Sequence, residues 1–389
     1  MWRNWYTRMF EVHVPSGLGV QVSPSAFEFD GFRQRRPCTL CGAWQVSPSA
    51  PESTKNTFIK IYYYYFMPLN SKIIKQRNKI IKENNFKLLK IFDTNEHEDY
   101  KDVVLIYDPK DKKKKVLRVG EHRTKNFLHN GYKGKYLIVP KIYSIITAEH
   151  NKYEIEEFVK GELLVNCLSK PTADKPIDDR YLELLIKSFW EFQTIGKKIN
   201  LPKQEVLTSK VKKHLAYAYK VMDGNKKQRA ENLFKNKKVI NFFKNSNYPC
   251  KWKFAVDNLI LTTDSKIGFI DLARVGKRFW GYDLGWIFWP LWFHFPIQEY
   301  KKTKEHLNWL ENLFKKIDEY KPKNVKKVDI IFYGYLIILE RVIGTMFDVA
   351  ANISHAQKIT KKKRKMKAFI KFLNELLELT LDKIKNYKK

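Results

Sequence analysis

Cysteine is scarce in this sequence. Cys38, Cys41, Cys167 and Cys250 are the only ones in 389 residues, which excludes a disulfide framework and sets a reducing, cytoplasmic setting as the expectation. Glycine is missing from Met67 through Val119, so a glycine-rich phosphate loop is excluded there. Long uninterrupted apolar runs are also lacking. The longest apolar-rich stretch, residues 330–347, carries Glu340 and Arg341 near its middle, and that pair argues for a buried or amphipathic helix over a transmembrane span. Acidic residues are outnumbered, 41 against 74 Lys and Arg, for a formal net charge of +33. Such an excess suits a polyanion or an anionic surface as partner. A/T-rich codons explain it better, because Lys, Asn, Ile, Tyr and Phe are enriched together and the lysines are scattered. The run at residues 361–365 reads as a solvated helix face, with a polyanion site as the alternative.

Lysine is absent before Lys55, where Arg, Trp, Ser, Pro and Val dominate. Back-translation of residues 2–8 and 19–22 gives text similar to the acceptor/D-arm and T-loop of a leucine-type transfer RNA gene. Residues 1–66 are therefore expected to be a spurious or disordered extension, with Met67 as the start, and are set aside from fold reasoning. Under the rival reading the extension is genuine and Cys38 and Cys41 bind zinc or cycle redox. A lone CxxC pair supplies only two of the four ligands zinc needs.

What is abundant is patterned. Residues 71–84 place Ile73, Ile74, Ile80 and Ile81 at helical spacing, predicting an amphipathic helix over a small lobe. Residues 86–92, 103–107, 115–119, 137–143 and 153–159 are rich in β-formers and predict about five antiparallel strands. The turn chemistry of Asp108, Pro109 and Asp111 pairs the second with the third. Beyond Gly161 the apolar residues recur at three and four positions across 181–195, 210–222, 226–244, 301–320, 328–353 and 361–387, predicting helices. The aromatic run at 286–295 reads as a buried helix ending at Pro290, or as a membrane-pressing surface. A β-rich part followed by a helical part is an α+β pattern. The expected organisation is a small β-rich nucleotide-binding lobe at 67–160 and a large helical lobe at 161–389.

The chemistry concentrates in residues 251–271. Asn258 and Asp271 sit 271 − 258 = 13 positions apart, at the two ends of a predicted strand–turn–strand. Phosphoryl transfer needs metal ligands on both sides of the nucleotide phosphates, and an Asn ending a catalytic loop plus an Asp ending the next hairpin supply them. Together with Ile270, Tyr282, Asp283 and Leu284, this segment resembles the H-G-D-x-x-x-x-N, I-D and Y-D-L series of the aminoglycoside phosphotransferase and choline kinase family. Residues 156–164 resemble the hinge between its lobes, and residues 116–119 its phosphate-contacting strand. The resemblance covers about residues 86–290.

That resemblance implies a two-lobed, protein-kinase-like fold binding ATP and Mg²⁺. It implies metal ligation by Asn258 and Asp271, a phosphate contact from Arg118, adenine received by the backbone of Glu156, Glu157 and Phe158, and a structural role for Asp283 holding the catalytic loop through backbone N–H groups. A Glu partner for Arg118 is not evident, Glu121 being the one candidate. The proton-accepting Asp of the motif falls at Lys253, five positions before Asn258, and Lys251 and Trp252 stand where His and Gly belong. A lysine near phosphates stays protonated and cannot serve as base. Lys253 as a phosphate clamp, Asp257 as a shifted base and loss of turnover are the readings left open. The family implies transfer of the γ-phosphate to a hydroxyl of a small metabolite, aminosugar or glycan, and similar motifs occur in lipopolysaccharide core kinases. The alternative is a pseudokinase serving as a nucleotide-binding or regulatory module.

Overall fold

A computed structural model describes residues 69–92, 103–120, 130–149, 151–203, 214–272, 275–323, 328–351 and 363–387. The expectations for residues 1–66, Cys38, Cys41 and Glu121 lie outside them. Helix α1 (Leu69–Glu83) buries Ile73, Gln76, Arg77 and Ile80 on one face. Asn85 turns the chain out of it in the left-handed region, φ 58°, which Asn tolerates better than most residues. Strands β1 (Lys87–Ile91), β2 (Val103–Asp108), β3 (Lys113–Gly120), β6 (Ile142–Ala148) and β7 (Asn151–Glu157) form an antiparallel sheet in the order β1-β2-β3-β7-β6. Ile80 of α1 joins Val104, Ile106, Leu117, Tyr153 and Ile155 in a core of their own. The Tyr153 hydroxyl lies 3.1 Å from both the Ile73 carbonyl and Gln76 Oε1, fixing the helix on the sheet. In the β2–β3 turn, Asp108 Oδ1 accepts the Lys110 N–H at 3.0 Å and Asp108 Oδ2 meets Lys115 Nζ at 2.8 Å.

Residues 137–143 do not form one strand. Pro140 cannot donate to a ladder, and it separates β5 (Leu137–Val139) from β6, which belong to different sheets. The second sheet runs β4-β5-β11-β10-β8, with β4 at Tyr132–Lys133, β8 at Gly161–Leu163, β10 at Leu259–Thr262 and β11 at Ile267–Phe269. Strand β5 pairs in parallel with β11, and β8 pairs antiparallel with β10. Gly161 is required there, since an added Cβ would lie 2.2 Å from the Leu261 carbonyl oxygen. The segment leaving β7 is thus bonded directly to the β10–β11 hairpin.

Most of the rest is helical: α2 (Leu164–Cys167), α3 (Asp179–Gly196), α4 (Lys226–Leu233), α5 (Lys237–Lys244), α6 (Tyr282–Trp292), α7 (Thr303–Glu319), α8 (Ile330–Ala350) and α9 (Lys363–Lys385). Residues 226–244 split into two helices because Asn236 caps the second, its Oδ1 accepting the Lys238 N–H at 2.8 Å. Pro290 does not end α6 but sits in its last turn. The last turn is tightened, with Phe293 N–H donating to Pro290 O and His294 N–H to Leu291 O. Helix α8 is apolar and long enough to cross a membrane, yet it is largely buried here, with Glu340 and Arg341 paired inside. The fold is α+β, a β-rich first part and a helical second part with separate hydrophobic cores.

Candidate functional site

The loop at residues 251–255 joins two short antiparallel strands to the hairpin. Strand β9 (Tyr248–Cys250) pairs with β12 (Gly276–Arg278), and the loop passes through a 3₁₀ turn at Val256–Asn258 before β10 begins. Asp283, in the first turn of α6 and 1% exposed, holds this loop from beneath. Its Oδ2 accepts the Lys251 N–H at 2.6 Å and its Oδ1 the Trp252 N–H at 3.0 Å, while the Cys250 thiol donates to Oδ1 at 3.3 Å. Burial pushes the Asp283 carboxyl above its ordinary pKa, opposed by the backbone N–H of Lys251 and the Cys250 thiol.

The loop needs that anchor. Trp252 (φ 62°) and Lys253 (φ 57°) are consecutive residues in the left-handed region, a conformation that costs a non-glycine residue about 1–3 kcal/mol. Lys251 braces it from within. Its side chain is wholly buried, and Nζ donates to the Lys253 carbonyl at 3.2 Å. Burial pulls the Lys251 ammonium down to about 8, against the attraction of Asp271, Asp283 and Asp257. A lysine in place of His therefore works as an internal prop, which the motif gave no reason to anticipate.

Arg118 and Asp271, 153 positions apart, meet. Arg118 Nη2 lies 3.3 Å from Asp271 Oδ1 and Nη1 lies 3.8 Å from Glu156 Oε1. Burial works against the Arg118 charge, but Glu156, Asp271 and Glu154 outweigh it and hold the guanidinium above its ordinary value. Among the described residues Glu156 is thus a glutamate partner of Arg118, its side chain 5% exposed. Period-two alternation carries the signal: Glu154 stands opposite Arg118 in the ladder and Glu156 lies on the same face. The ladder uses the Glu156 backbone on both sides, facing Val116 and Ile142. The Glu157 N–H donates to Lys141 O at 2.8 Å and its carboxylate takes Lys133 Nζ at 2.6 Å. The chain leaves the ladder at half-buried Phe158.

Asn258 and Asp271 flank the open end of the hairpin, since Leu259 pairs with Phe269. Asn258 Nδ2 donates to the carboxylate of exposed Asp257 at 3.4 Å. Asp271 itself has φ 55°, so it too has a strained backbone, just beyond a strand end. Among the described residues no group of three or more His, Cys, Asp or Glu side chains is placed to hold a metal. One amide oxygen and one carboxylate do fit a Mg²⁺ that arrives on phosphates and keeps several waters. They do not fit a resident all-protein site.

No protein-family model and no curated protein matches the chain. Solved structures do resemble it. An aminoglycoside phosphotransferase from Alicyclobacillus acidocaldarius is 9% identical, with 75% of this chain and 93% of that one covered at a TM-score of 0.45. The ADP-bound aminoglycoside phosphotransferase APH(2'')-Ib is 14% identical over 81% and 99%, TM-score 0.41. The choline kinase LicA from Streptococcus pneumoniae is 10% identical over 78% and 99%, also at 0.41. These are the kinds of protein that the sequence resembles.

Proposed function

We propose that the chain takes Mg-ATP between the β1-β2-β3-β7-β6 sheet and the β10–β11 hairpin, and directs the γ-phosphate to a hydroxyl of a small metabolite, aminosugar or glycan. The contact of Arg118 with Asp271 carries this reading: it brings a buried guanidinium from the sheet to the strained acid that ends the hairpin. Arg118 contacts phosphate, and Glu156 keeps its charge fixed. Asn258 and Asp271 would hold the Mg²⁺, which would supply positive charge to offset that of the phosphates. Adenine meets the backbone from Phe158 onward. Asp283 positions the loop and touches no substrate.

A second reading, nucleotide binding without turnover, is favoured by one observation. Lys253 stands where a carboxylate would orient the acceptor hydroxyl, and Lys251 is spent as a prop. In that reading the chain is a pseudokinase. Exposed Asp257 is the remaining carboxylate from which a base can be drawn.

A thermal-shift titration of the full chain with ATP, with and without Mg²⁺, tests binding, because a ligand preferring the folded state raises its melting point. A Mg²⁺-dependent rise is expected, and no shift by ATP in either condition would count decisively against nucleotide binding. Lys253→Asp separates the two readings. Asp tolerates the left-handed backbone at 253 better than Lys, so the variant keeps its loop. If only the base is lacking, ATP hydrolysis or transfer to a panel of hydroxyl acceptors appears or rises at least tenfold; unchanged turnover means the site has lost more than its base.

A further inference from the structure

Arg278, the last residue of β12, is 4% exposed. Its guanidinium carbon lies 3.5 Å from the centre of the Trp252 ring and 4.6 Å from that of Tyr282. Its Nε is buried without a hydrogen-bond partner, and among the described residues no carboxylate lies within ion-pair distance of it. Rings offset part of a buried positive charge through their faces, but they offer no lone pairs to the N–H groups in the guanidinium plane. A guanidinium does not escape by deprotonating.

The same ladder of rings contains its own control. Arg341 lies over Tyr282 at 5.3 Å and over Trp286 at 5.0 Å, and there the fold provides a carboxylate, Glu340, bonded through two nitrogens. Trp286 Nε1 is a second buried donor without a partner. The unmet demand in this ladder is for acceptors. Buried polar groups are otherwise satisfied almost throughout folded proteins, so a ligand that brings acceptors and negative charge is what the pattern lacks.

We propose that Arg278 is the anchor of an oxyanion subsite beside the loop, taking a phosphate or carboxylate group of the molecule that occupies the acceptor side. The guanidinium packs on the Trp252 and Tyr282 rings, and its planar fork of N–H donors matches the two oxygens of such a group. Lys253, next in the chain to Trp252, adds positive charge. The site stands on Arg278 alone; only the identification of its occupant as the acceptor rests on the nucleotide reading above. An anionic acceptor also gives the lysine at 253 a use that a carboxylate there would oppose.

The test is thermal shift of the full chain in sodium phosphate and in sodium acetate, each against sodium chloride at matched ionic strength, for wild type, Arg278→Met and Arg278→Lys. Phosphate or acetate is expected to stabilise wild type, the stronger of the two identifying the group. Arg278→Met should melt no lower than wild type in chloride, having lost an uncompensated buried charge, and should bind the anion at least tenfold more weakly. Arg278→Lys keeps the charge without the planar fork, so it should fold and lose most of the response; it serves if the Met variant does not fold. Equal anion responses in all three proteins, or none in wild type, would overturn the site. ATP titrated on Arg278→Met keeps the two readings apart. An ATP shift that persists there while the phosphate response is lost supports two separate sites, whereas a phosphate response without any ATP shift in wild type sinks the nucleotide reading and leaves the anion site standing.

Discussion

Arg118 and Arg278 are both buried against the segment that runs from the loop at 251 to the hairpin end at 271, and the protein treats their charges in opposite ways. Arg118 is surrounded by acids: Glu156 and Asp271 within 4 Å, and Glu154 across the ladder. Arg278 is packed against the Trp252 and Tyr282 rings, with Tyr248 as its ladder partner. The difference comes from register. Period-two alternation in β7 puts Glu154 and Glu156 on the face that Arg118 occupies, so the sheet itself neutralises that arginine. The two-stranded β9–β12 ladder brings no acid to Arg278. One charge is balanced from within the fold, and the other awaits a counter-charge from outside.

The largest effect expected from breaking this comparison is at Arg118. Arg118→Met would take away the guanidinium that attracts Glu154, Glu156 and Asp271 together, and removing one partner from a buried ionic cluster typically destabilises by about 3–5 kcal/mol. Urea unfolding at neutral pH should show that loss, while Arg278→Met shows none. Adding Glu156→Gln to Arg118→Met should recover part of it, since the cluster then holds one buried carboxylate fewer. An Arg118→Met variant within about 1 kcal/mol of wild type would mean that the acids do not depend on this guanidinium, and that the two arginines are not opposites after all.

How much of this was legible in the sequence follows the range of the interactions. The strands of the first sheet and the asparagine and aspartate that flank the hairpin are local patterns, and alternation plus turn residues locate them. The split of residues 137–143 between two sheets has a local signal in Pro140, but the reason β5 leaves is its parallel pairing with Ile267 and Gly268, far along the chain. The break at Asn236 was also written locally, as an N-cap. Motif order gives Glu156 a backbone role at the hinge, and the face its side chain shares with Arg118 follows from alternation once β3 and β7 are known to be neighbours. Arg278 gave no signal, since one more basic residue in a chain of net charge +33 is indistinguishable until three dimensions show what surrounds it. The prop made by Lys251 was equally hidden, because it depends on a loop folding back on its own carbonyl.

Lys251 sharpens the comparison as a third buried cation, neither ringed by close carboxylates nor stacked between rings; its Nζ has the Lys253 carbonyl at 3.2 Å and lies 5.5 Å from the centre of the Phe269 ring. A folded-state pKa of about 8, against 10.5 for an unperturbed lysine, means that between those values the unfolded chain binds a proton that the folded chain does not. Stability must then rise with pH across that window, as the buried ammonium is discharged. The contribution is fully present above pH 10.5 and is lost as pH falls through 8, amounting to about 3 kcal/mol for a shift of this size. Lys251→Met removes the titration while all other lysines remain. The variant should therefore be more stable than wild type below pH 8 by about 3 kcal/mol less the ~1 kcal/mol of the lost Nζ bond, with the advantage vanishing towards pH 10.5. Denaturation of both proteins at a series of pH values measures the gap. A difference that does not change between pH 7.5 and 10.5 would show that Lys251 keeps its proton throughout, held by Asp271, Asp283 and Asp257 as Arg118 is held by its own acids.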